Sequence, residues 1–226
     1  MRFYSRLWLV LMLSTLVPSA GAVYLNSLVY DMRPDEQFIS LPVVNDTPRT
    51  NLYTVQAYEI GKPTVDASSR VEGAEMQVVY SPLKFTVAPG GKDFFKLYYR
   101  GPEDRVERYY RVIVRETPVK LFPFRDNEKH SDVISVLSMS TFLIVRPRMH
   151  TLSFELDERA GTLHNTGNTF FRVIIHKGCN GDDDSSTQFY MLPGEKYSSS
   201  IVSKNNKKFI VAMGRYTLLG EGCFTA

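Results

Sequence analysis

Few residues of this chain have the types and spacing that catalysis or metal binding requires. Its four histidines are scattered, and none has a metal-type partner at close spacing; they are His130, His150, His164 and His176. The segment 176–184, His-Lys-Gly-Cys-Asn-Gly-Asp-Asp-Asp, could hold calcium or form a solvated acidic turn. It lacks the alternating acidic ligands and the terminal glutamate of a calcium loop, which favours the solvated turn. We therefore expect no bound metal.

Motifs for covalent and phosphate chemistry are also absent from the sequence. The chain has no Gly-x-Ser-x-Gly, no phosphate-cradling glycine loop and no Cys/His pair of nucleophilic type. Catalysis would need a triad assembled from scattered residues, which sequence order does not reveal. We therefore expect a binding protein and not an enzyme, with no cofactor and no small-molecule substrate.

The N-terminus has the three parts of a secretory signal peptide. Arg2 and Arg6 precede an apolar run from Leu7 to Val17, and Ala20-Gly21-Ala22 is a small-residue cleavage site. We expect residues 1–22 to be removed during export. The chain has 27 Lys and Arg, so loss of Arg2 and Arg6 leaves 25 basic residues against 24 acidic ones. This balance gives no basic face for nucleic acid.

The chain has two cysteines, Cys179 and Cys223, both near its C-terminal end. In an exported protein such a pair is expected to form a disulfide bridge; the alternative is two independent thiols.

Short runs of β-branched and aromatic residues alternate with turn signals, and aromatic residues make up 12% of the chain. The turns are marked by Gly, Pro, Asn and Asp. No long apolar stripe at helical spacing interrupts this pattern, which indicates an all-β sandwich. The predicted strands of the first part are Val23 to Tyr30, Phe38 to Val44, Leu52 to Tyr58, Glu75 to Tyr80, Phe94 to Tyr99 and Tyr109 to Val114.

A polar segment from Thr117 to Asp132 precedes the longest predicted strand, Val133 to Val145, which ends at Arg146-Pro147. We place a domain boundary there, giving domains 23–146 and 147–226. The second domain is predicted to be a smaller sandwich. Its strands are Thr151 to Leu156, Thr162 to Asn165, Phe170 to His176, Gln188 to Leu192, Tyr197 to Val202, Lys208 to Met213 and Tyr216 to Leu219.

The strand from Val133 to Val145 is unusual because both of its alternating residue sets are largely apolar. One interpretation is a central strand that is buried on both faces. The other is a strand whose free edge or second face is completed by another protein. The pattern alone does not separate the two interpretations.

Several motifs occur in the order found in periplasmic pilus chaperones of chaperone-usher systems. They are Val44-Asn45, 81–90, 104–110, 115–118, Arg146-Pro147, 163–168 and 191–194. The chain therefore resembles this family. Gly101-Pro102-x-Asp104 with 107–112 is most similar to the alternate subclass typified by the Escherichia coli common pilus chaperones.

This resemblance implies two immunoglobulin-like β-sandwich domains in a boomerang arrangement, and a function in binding pilus subunits and delivering them to an outer-membrane usher. It also implies that the last strand of the first domain is lent to the subunit. The predicted subunit-facing side chains are Val133, Leu137 and Met139, with Ile134 and Val136 replacing them if the register differs by one.

The resemblance further implies an interdomain ion pair between Glu107 and Arg146. A second acidic partner is usual in the family, but the corresponding region here reads Val211-Ala212-Met213. The family's usual cations for the carboxylate of the subunit are missing, so Arg111 is the first candidate for this anchor and Arg148 the second. The alternative for each is a solvated or salt-bridged surface arginine.

Two other functions compete with the chaperone interpretation. The chain could itself be a fibre subunit or surface adhesin built from sandwiches, but strand-like residues begin at Val23, which leaves no donor extension before them. A secreted carbohydrate- or metal-binding module would show clustered aromatic residues or ligands on one set of loops, and the sequence shows no such cluster.

Overall fold

The computed structural model describes residues 27–63, 70–72, 76–119, 135–203, 205–221 and 223. The regular secondary structure of these residues is β-strand, apart from a single helical turn at Ser200–Ser203. None of them belongs to a helix of the length and apolar character needed to cross a membrane. The predicted signal peptide, its cleavage site and Val23 lie outside the described residues.

The first sandwich contains the strands β1 to β8. Strands β1, β8, β7, β3 and β5 form one sheet in that order, and β2, β6 and β4 form the other. Strand β1 runs parallel to β8, whereas β7 runs antiparallel to it. The bounds are β1 Val29–Met32, β2 Phe38–Val44, β3 Asn51–Ile60, β4 Val78–Ser81, β5 Lys84–Val87, β6 Lys92–Tyr99, β7 Arg108–Pro118 and β8 Leu137–Val145.

The core of the first sandwich follows from the alternation of residues along its strands. In β3 the side chains of Tyr53, Val55 and Ala57 are buried at every second position. They pack with Phe95 and Leu97 from β6 of the facing sheet. Because side chains of a strand point alternately to its two faces, a period of two places one apolar set between the sheets.

The second sandwich contains the strands β9 to β15. Strands β13, β10 and β9 form one sheet, and β12, β11, β14 and β15 form the other. Its separate core includes Leu163, Phe171, Val173, Met191 and Ile210. The bounds are β9 Phe154–Asp157, β10 Thr162–Asn165, β11 Phe171–Ile175, β12 Thr187–Met191, β13 Lys196–Ser198, β14 Lys208–Ala212 and β15 Arg215–Leu219.

The fold agrees with the predicted class of two immunoglobulin-like sandwiches, but several local predictions differ from the structure. The predicted strands Val133 to Val145 and Thr151 to Leu156 begin later, at Leu137 and Phe154 within the described residues. The segment 199–202 was expected to continue a strand; instead, the Ser199 hydroxyl accepts a hydrogen bond from Ile201 N and begins the helical turn. Strand β5 was not predicted, because it is short and lies between Pro82 and Pro89. The division at residues 146 and 147 remains a proposal.

The two asparagines in the sequence motifs have matching structural functions. Asn45 is fully buried and donates from Nδ2 to the carbonyl oxygens of Arg49 and Val87. In the second sandwich, Asn165 is also fully buried and donates to the carbonyls of Thr169 and Met191. Each side chain thus satisfies backbone acceptors where a strand ends, since a buried carbonyl without a donor is costly.

The predicted disulfide bridge between Cys179 and Cys223 is present, with 5.3 Å between the two Cα atoms. It links the loop after β11 to the chain beyond β15 across a sequence separation of 44 residues. Closing a loop of this length stabilises the fold by about 4 kcal/mol when only the entropy of the unfolded chain is considered.

Candidate functional site: a strand edge and an interdomain cleft

The two edges of strand β8 are covered to different extents. Strand β7 pairs with β8 along its whole length, from Leu137 to Val145. Strand β1 pairs with the other edge only from Phe142 to Val145. No described strand pairs with this second edge between Leu137 and Thr141. We call residues 137–141 the open segment; within the described part of the chain no strand takes up its outward backbone groups, and only the Thr141 hydroxyl bonds to the Ser27 carbonyl.

The side chains of β8 explain its two-sided apolar pattern. Leu143 and Val145 are buried in the first core, and Ile144 is buried on the opposite face against the second sandwich. The end of β8 is therefore buried on both faces within the chain. The interpretation of a central strand is correct for this half, but it does not apply to the open segment.

The predicted subunit-facing residues do not behave as one set. Met139 is half-buried and packs against the first core, on the same side as Leu143 and Val145. Leu137 and Val136 are 46% and 51% exposed. Val133 and Ile134 lie outside the described residues. The described apolar side chains available to a partner are thus Val136 and Leu137, whereas Met139 belongs to the protein's own core.

An apolar cleft lies between the two sandwiches beside the covered half of β8. Val29 of β1 and Phe142 and Ile144 of β8 line it on one side. Phe170 and Leu192 of the second sandwich line it on the other. The open segment leads directly into this cleft, because Phe142 follows Thr141.

Arg146 connects the two sandwiches at the base of the cleft and is 3% exposed. Its Nε donates to Asp31 Oδ2 at 2.8 Å, and its Nη1 donates to Thr169 Oγ1 at 2.7 Å and to the Phe170 carbonyl at 2.9 Å. The guanidinium group also lies 4.0 Å from the centre of the Phe170 ring. A buried arginine requires such partners, because an unpaired charge is strongly destabilising in the interior.

Glu107 meets the same two residues of the second sandwich. Its Oε2 accepts hydrogen bonds from the Thr169 hydroxyl and from Phe170 N, both at 2.8 Å. The Tyr109 hydroxyl donates to its Oε1 at 2.8 Å. Burial raises the pKa of the Glu107 carboxyl, although these donors and the charge of Arg146 act in the opposite direction.

The predicted direct ion pair between Glu107 and Arg146 is not formed among the described residues. Both side chains are buried at the junction, but the Thr169 hydroxyl bridges them. The carboxylate that pairs with Arg146 is that of Asp31 in β1. Sequence reasoning missed Asp31 and Thr169; the available signal was an acidic residue within the otherwise uncharged β1 sequence Val-Tyr-Asp-Met.

The two candidate anchors for a carboxylate lie in different places. Arg111 of β7 lies beside the open segment, with its Nη1 3.0 Å from Ser140 Oγ and its guanidinium 4.9 Å from the centre of the Phe142 ring. Arg148 donates to the carbonyl oxygens of Arg33 and Pro34, so it holds a turn next to β1. The structure thus brings Arg111, and not Arg148, to β8. Its function as an anchor stays a prediction.

The acidic turn after β11 is organised by a histidine. His176 Nε2 lies 2.9 Å from Asp183 Oδ1, and its Nδ1 lies 2.9 Å from the Gly181 carbonyl oxygen. Asp182 accepts a hydrogen bond from Ser185 N. Within the described ranges, no group of three or more His, Cys, Asp or Glu side chains is arranged to hold a metal ion.

Solved structures of fimbrial chaperones have the same fold of two sandwiches. The chain superimposes on the class 5 fimbriae chaperone CfaA with a TM-score of 0.51, at 16% identity and with 90% of this chain and 95% of that chain covered. The periplasmic chaperone SfaE gives a TM-score of 0.52, at 15% identity and with 87% and 96% covered.

The chain is similar in sequence to the probable fimbrial chaperone EcpE of Escherichia coli (strain K12), with 28% identity over 212 residues, 91% of this chain and 87% of the relative. It is 26% identical to the probable fimbrial chaperone EcpB of Escherichia coli O157:H7, over 92% and 93% of the two chains. No family model matches the chain. These relatives confirm the resemblance to pilus chaperones that the motifs predicted.

Proposed function

We propose that the protein is a periplasmic chaperone that binds pilus subunits and delivers them to an outer-membrane usher. The observation that carries this proposal is the open segment of β8, whose edge is free of described strands beside the apolar cleft. The names of the relatives support it. A solved complex of a chaperone with a tip adhesin has the same fold, with a TM-score of 0.50 at 14% identity.

The open segment supplies the physical means of binding. An incomplete sandwich exposes a groove where a strand is missing, and an added strand satisfies the backbone donors and acceptors of that groove. Because consecutive side chains of an extended chain point to opposite faces, Leu137 would enter the groove in one register and Val136 in the other. The side chain that enters would provide apolar burial worth about 1.5 to 3 kcal/mol before ordering costs. Another subunit's extension can later replace such a strand, because the exchange breaks and makes similar hydrogen bonds.

Arg111 is the proposed anchor for the terminal carboxylate of the subunit. Its guanidinium lies at the end of the open segment, where the cleft begins. A guanidinium can bind a carboxylate through two parallel hydrogen bonds, which would fix the register of the lent strand. Before a subunit binds, the hydrogen bond to Ser140 holds the Arg111 side chain along β8.

The protein acts by binding, and we propose no catalytic reaction for it. Export through the predicted signal peptide, with cleavage after Ala22, would place it in the periplasm. The Cys179–Cys223 bridge fits an oxidising compartment. The relatives named fimbrial chaperones do not favour the alternative of a fibre subunit or surface adhesin.

Purification of the tagged protein from periplasmic extract tests this function. We expect a pilin-sized companion in equal amount with the wild-type protein, and its loss from a variant with Val136→Ser and Leu137→Asn. The matched control is Val79→Ser with Leu83→Asn, which removes two exposed apolar side chains away from β8. A companion retained by the β8 variant, or polymers of the protein itself, would contradict the proposal.

A further inference from the structure

The second sandwich has an outward sheet face that is unusually rich in aromatic and apolar side chains. Tyr190, Arg172, Val211 and Tyr216 are register partners in β12, β11, β14 and β15, so they form one row across the sheet. Leu218 lies next to this row, opposite Phe209. We call Tyr190, Arg172, Val211, Tyr216 and Leu218 the aromatic face. The other side of the same strands forms the second core.

The aromatic face is exposed to solvent. Tyr216, Tyr190 and Leu218 are 65%, 52% and 40% exposed. Single exposed apolar residues are common, but a contiguous group of them on one sheet marks an interaction surface. Tyrosine and arginine are also the residue types most enriched among the side chains that dominate binding energy at protein interfaces.

Arg172 is the charged residue of the aromatic face, and the carboxylates that line the adjoining depressions are those of Asp31 and Glu195. The four strands β11, β12, β14 and β15 contain no aspartate or glutamate. Arg172 has no ion-pair partner within the described part of the chain, whereas Lys208 is buried and pairs with Glu158. A surface of this kind is complementary to a partner that presents carboxylates among apolar side chains.

The aromatic face continues into the cleft. Tyr190 packs on Phe170, with 5.9 Å between the ring centres, and lines the apolar pocket that Phe142 lines from β8. Arg172 and Val211 line a second depression together with Val29 and Asp31 of β1. A body that fills the cleft beside β8 therefore lies against the aromatic face as well.

We propose that the aromatic face is a second contact surface for the pilus subunit, which it meets through acidic and apolar side chains of that subunit. This inference rests on the proposed function. The occupant is the subunit and not a separate protein, because the face and the pocket beside β8 share Tyr190 and form one continuous surface. Contact on both sandwiches would hold the subunit at two places and slow its dissociation.

Dissociation of the co-purified, pilin-sized companion during timed washing tests this inference. A variant with Tyr216→Ser and Leu218→Ser should lose the companion about tenfold faster or more, since tyrosine is enriched among the few interface residues whose truncation weakens binding by at least this factor. The matched control is Phe38→Ser with Phe94→Ser, two exposed aromatics on β2 and β6 of the other sandwich. This control should release the companion at the wild-type rate.

A second variant, Arg172→Gln, tests the charge separately. It should release the companion several-fold faster than the wild-type protein at low salt and at the same rate at about 0.5 M salt, where charge interactions are screened. Wild-type release rates in both variants would overturn the inference, even if Leu137→Asn abolishes capture. If Leu137→Asn also retains the companion, or the wild-type protein carries none, the proposed function itself fails.

Discussion

The hydroxyl of Thr169 accepts a hydrogen bond from Arg146 Nη1 at 2.7 Å and donates one to Glu107 Oε2 at 2.8 Å. One neutral side chain thus connects a buried cation and a buried carboxylate that belong to the other sandwich. A hydroxyl can do this because it donates once and accepts at the same time.

Replacement of this hydroxyl by a methyl group should weaken the junction between the two sandwiches. We expect Thr169→Val to lower the free energy of unfolding by about 3 kcal/mol, because two hydrogen bonds to buried charged groups are lost. Thr169→Ser keeps the hydroxyl and should cost much less. Urea unfolding of both variants measures the difference; equal losses would show that the hydroxyl does not bridge the two charges.

Glu107 and Arg146 should behave as an energetically coupled pair although Thr169 separates them. We expect Glu107→Ala or Arg146→Ala alone to cost about 3 to 5 kcal/mol, because each breaks the buried hydrogen-bond network that runs through Thr169 and leaves its remaining polar groups unsatisfied. The double variant should cost less than the sum of the two. A double-mutant cycle in urea measures this coupling, and additive losses would exclude it.

The raised pKa of Glu107 makes its effect on stability depend on pH in a defined direction. The ordinary pKa is 4.5, and burial raises it in the folded protein. Between these two values the folded state holds more protons than the unfolded state, so this contribution to the free energy of unfolding falls as pH rises.

The Glu107→Gln variant isolates this effect because its side chain does not titrate. Relative to this variant, the wild-type protein should gain stability when the pH is lowered from about 7 to about 4.5. Unfolding in urea at a series of pH values gives the difference between the two proteins. A difference that is constant or that shrinks on acidification would argue against a carboxyl whose pKa is raised by burial.

Two neighbouring residues of β8 should respond differently to the same change. Met139→Asn should lower the free energy of unfolding by about 2 kcal/mol, because Met139 packs against the first core. Leu137→Asn should leave the melting temperature unchanged and abolish capture of the subunit. Thermal unfolding and co-purification separate the two effects. Stable Met139→Asn protein that loses its companion would instead assign Met139 to the subunit-binding surface.

The sandwiches could be predicted from the sequence because strand β3 and its neighbours repeat buried residues with a period of two, which is a local property. The environment of Ile144 could not be predicted from the sequence, because Phe170, which packs against it, belongs to the second sandwich. The contacts at the junction of the two sandwiches could be predicted only in part, for the same reason. Motifs indicated Glu107 and Arg146, but the bridging position of Thr169 depends on how the two sandwiches pack.

The pairing of β8 with β7 over the full length of the strand also has a mechanical consequence. A pulling force on a bound subunit that is directed along the axis of β8 reaches β7 through this pairing. It therefore loads the nine registered residue pairs from Leu137 to Val145 in shear, so that their hydrogen bonds resist together. A force perpendicular to the strand would instead peel the bonds apart one after another. The full-length pairing with β7 thus gives β8 its resistance to axial tension.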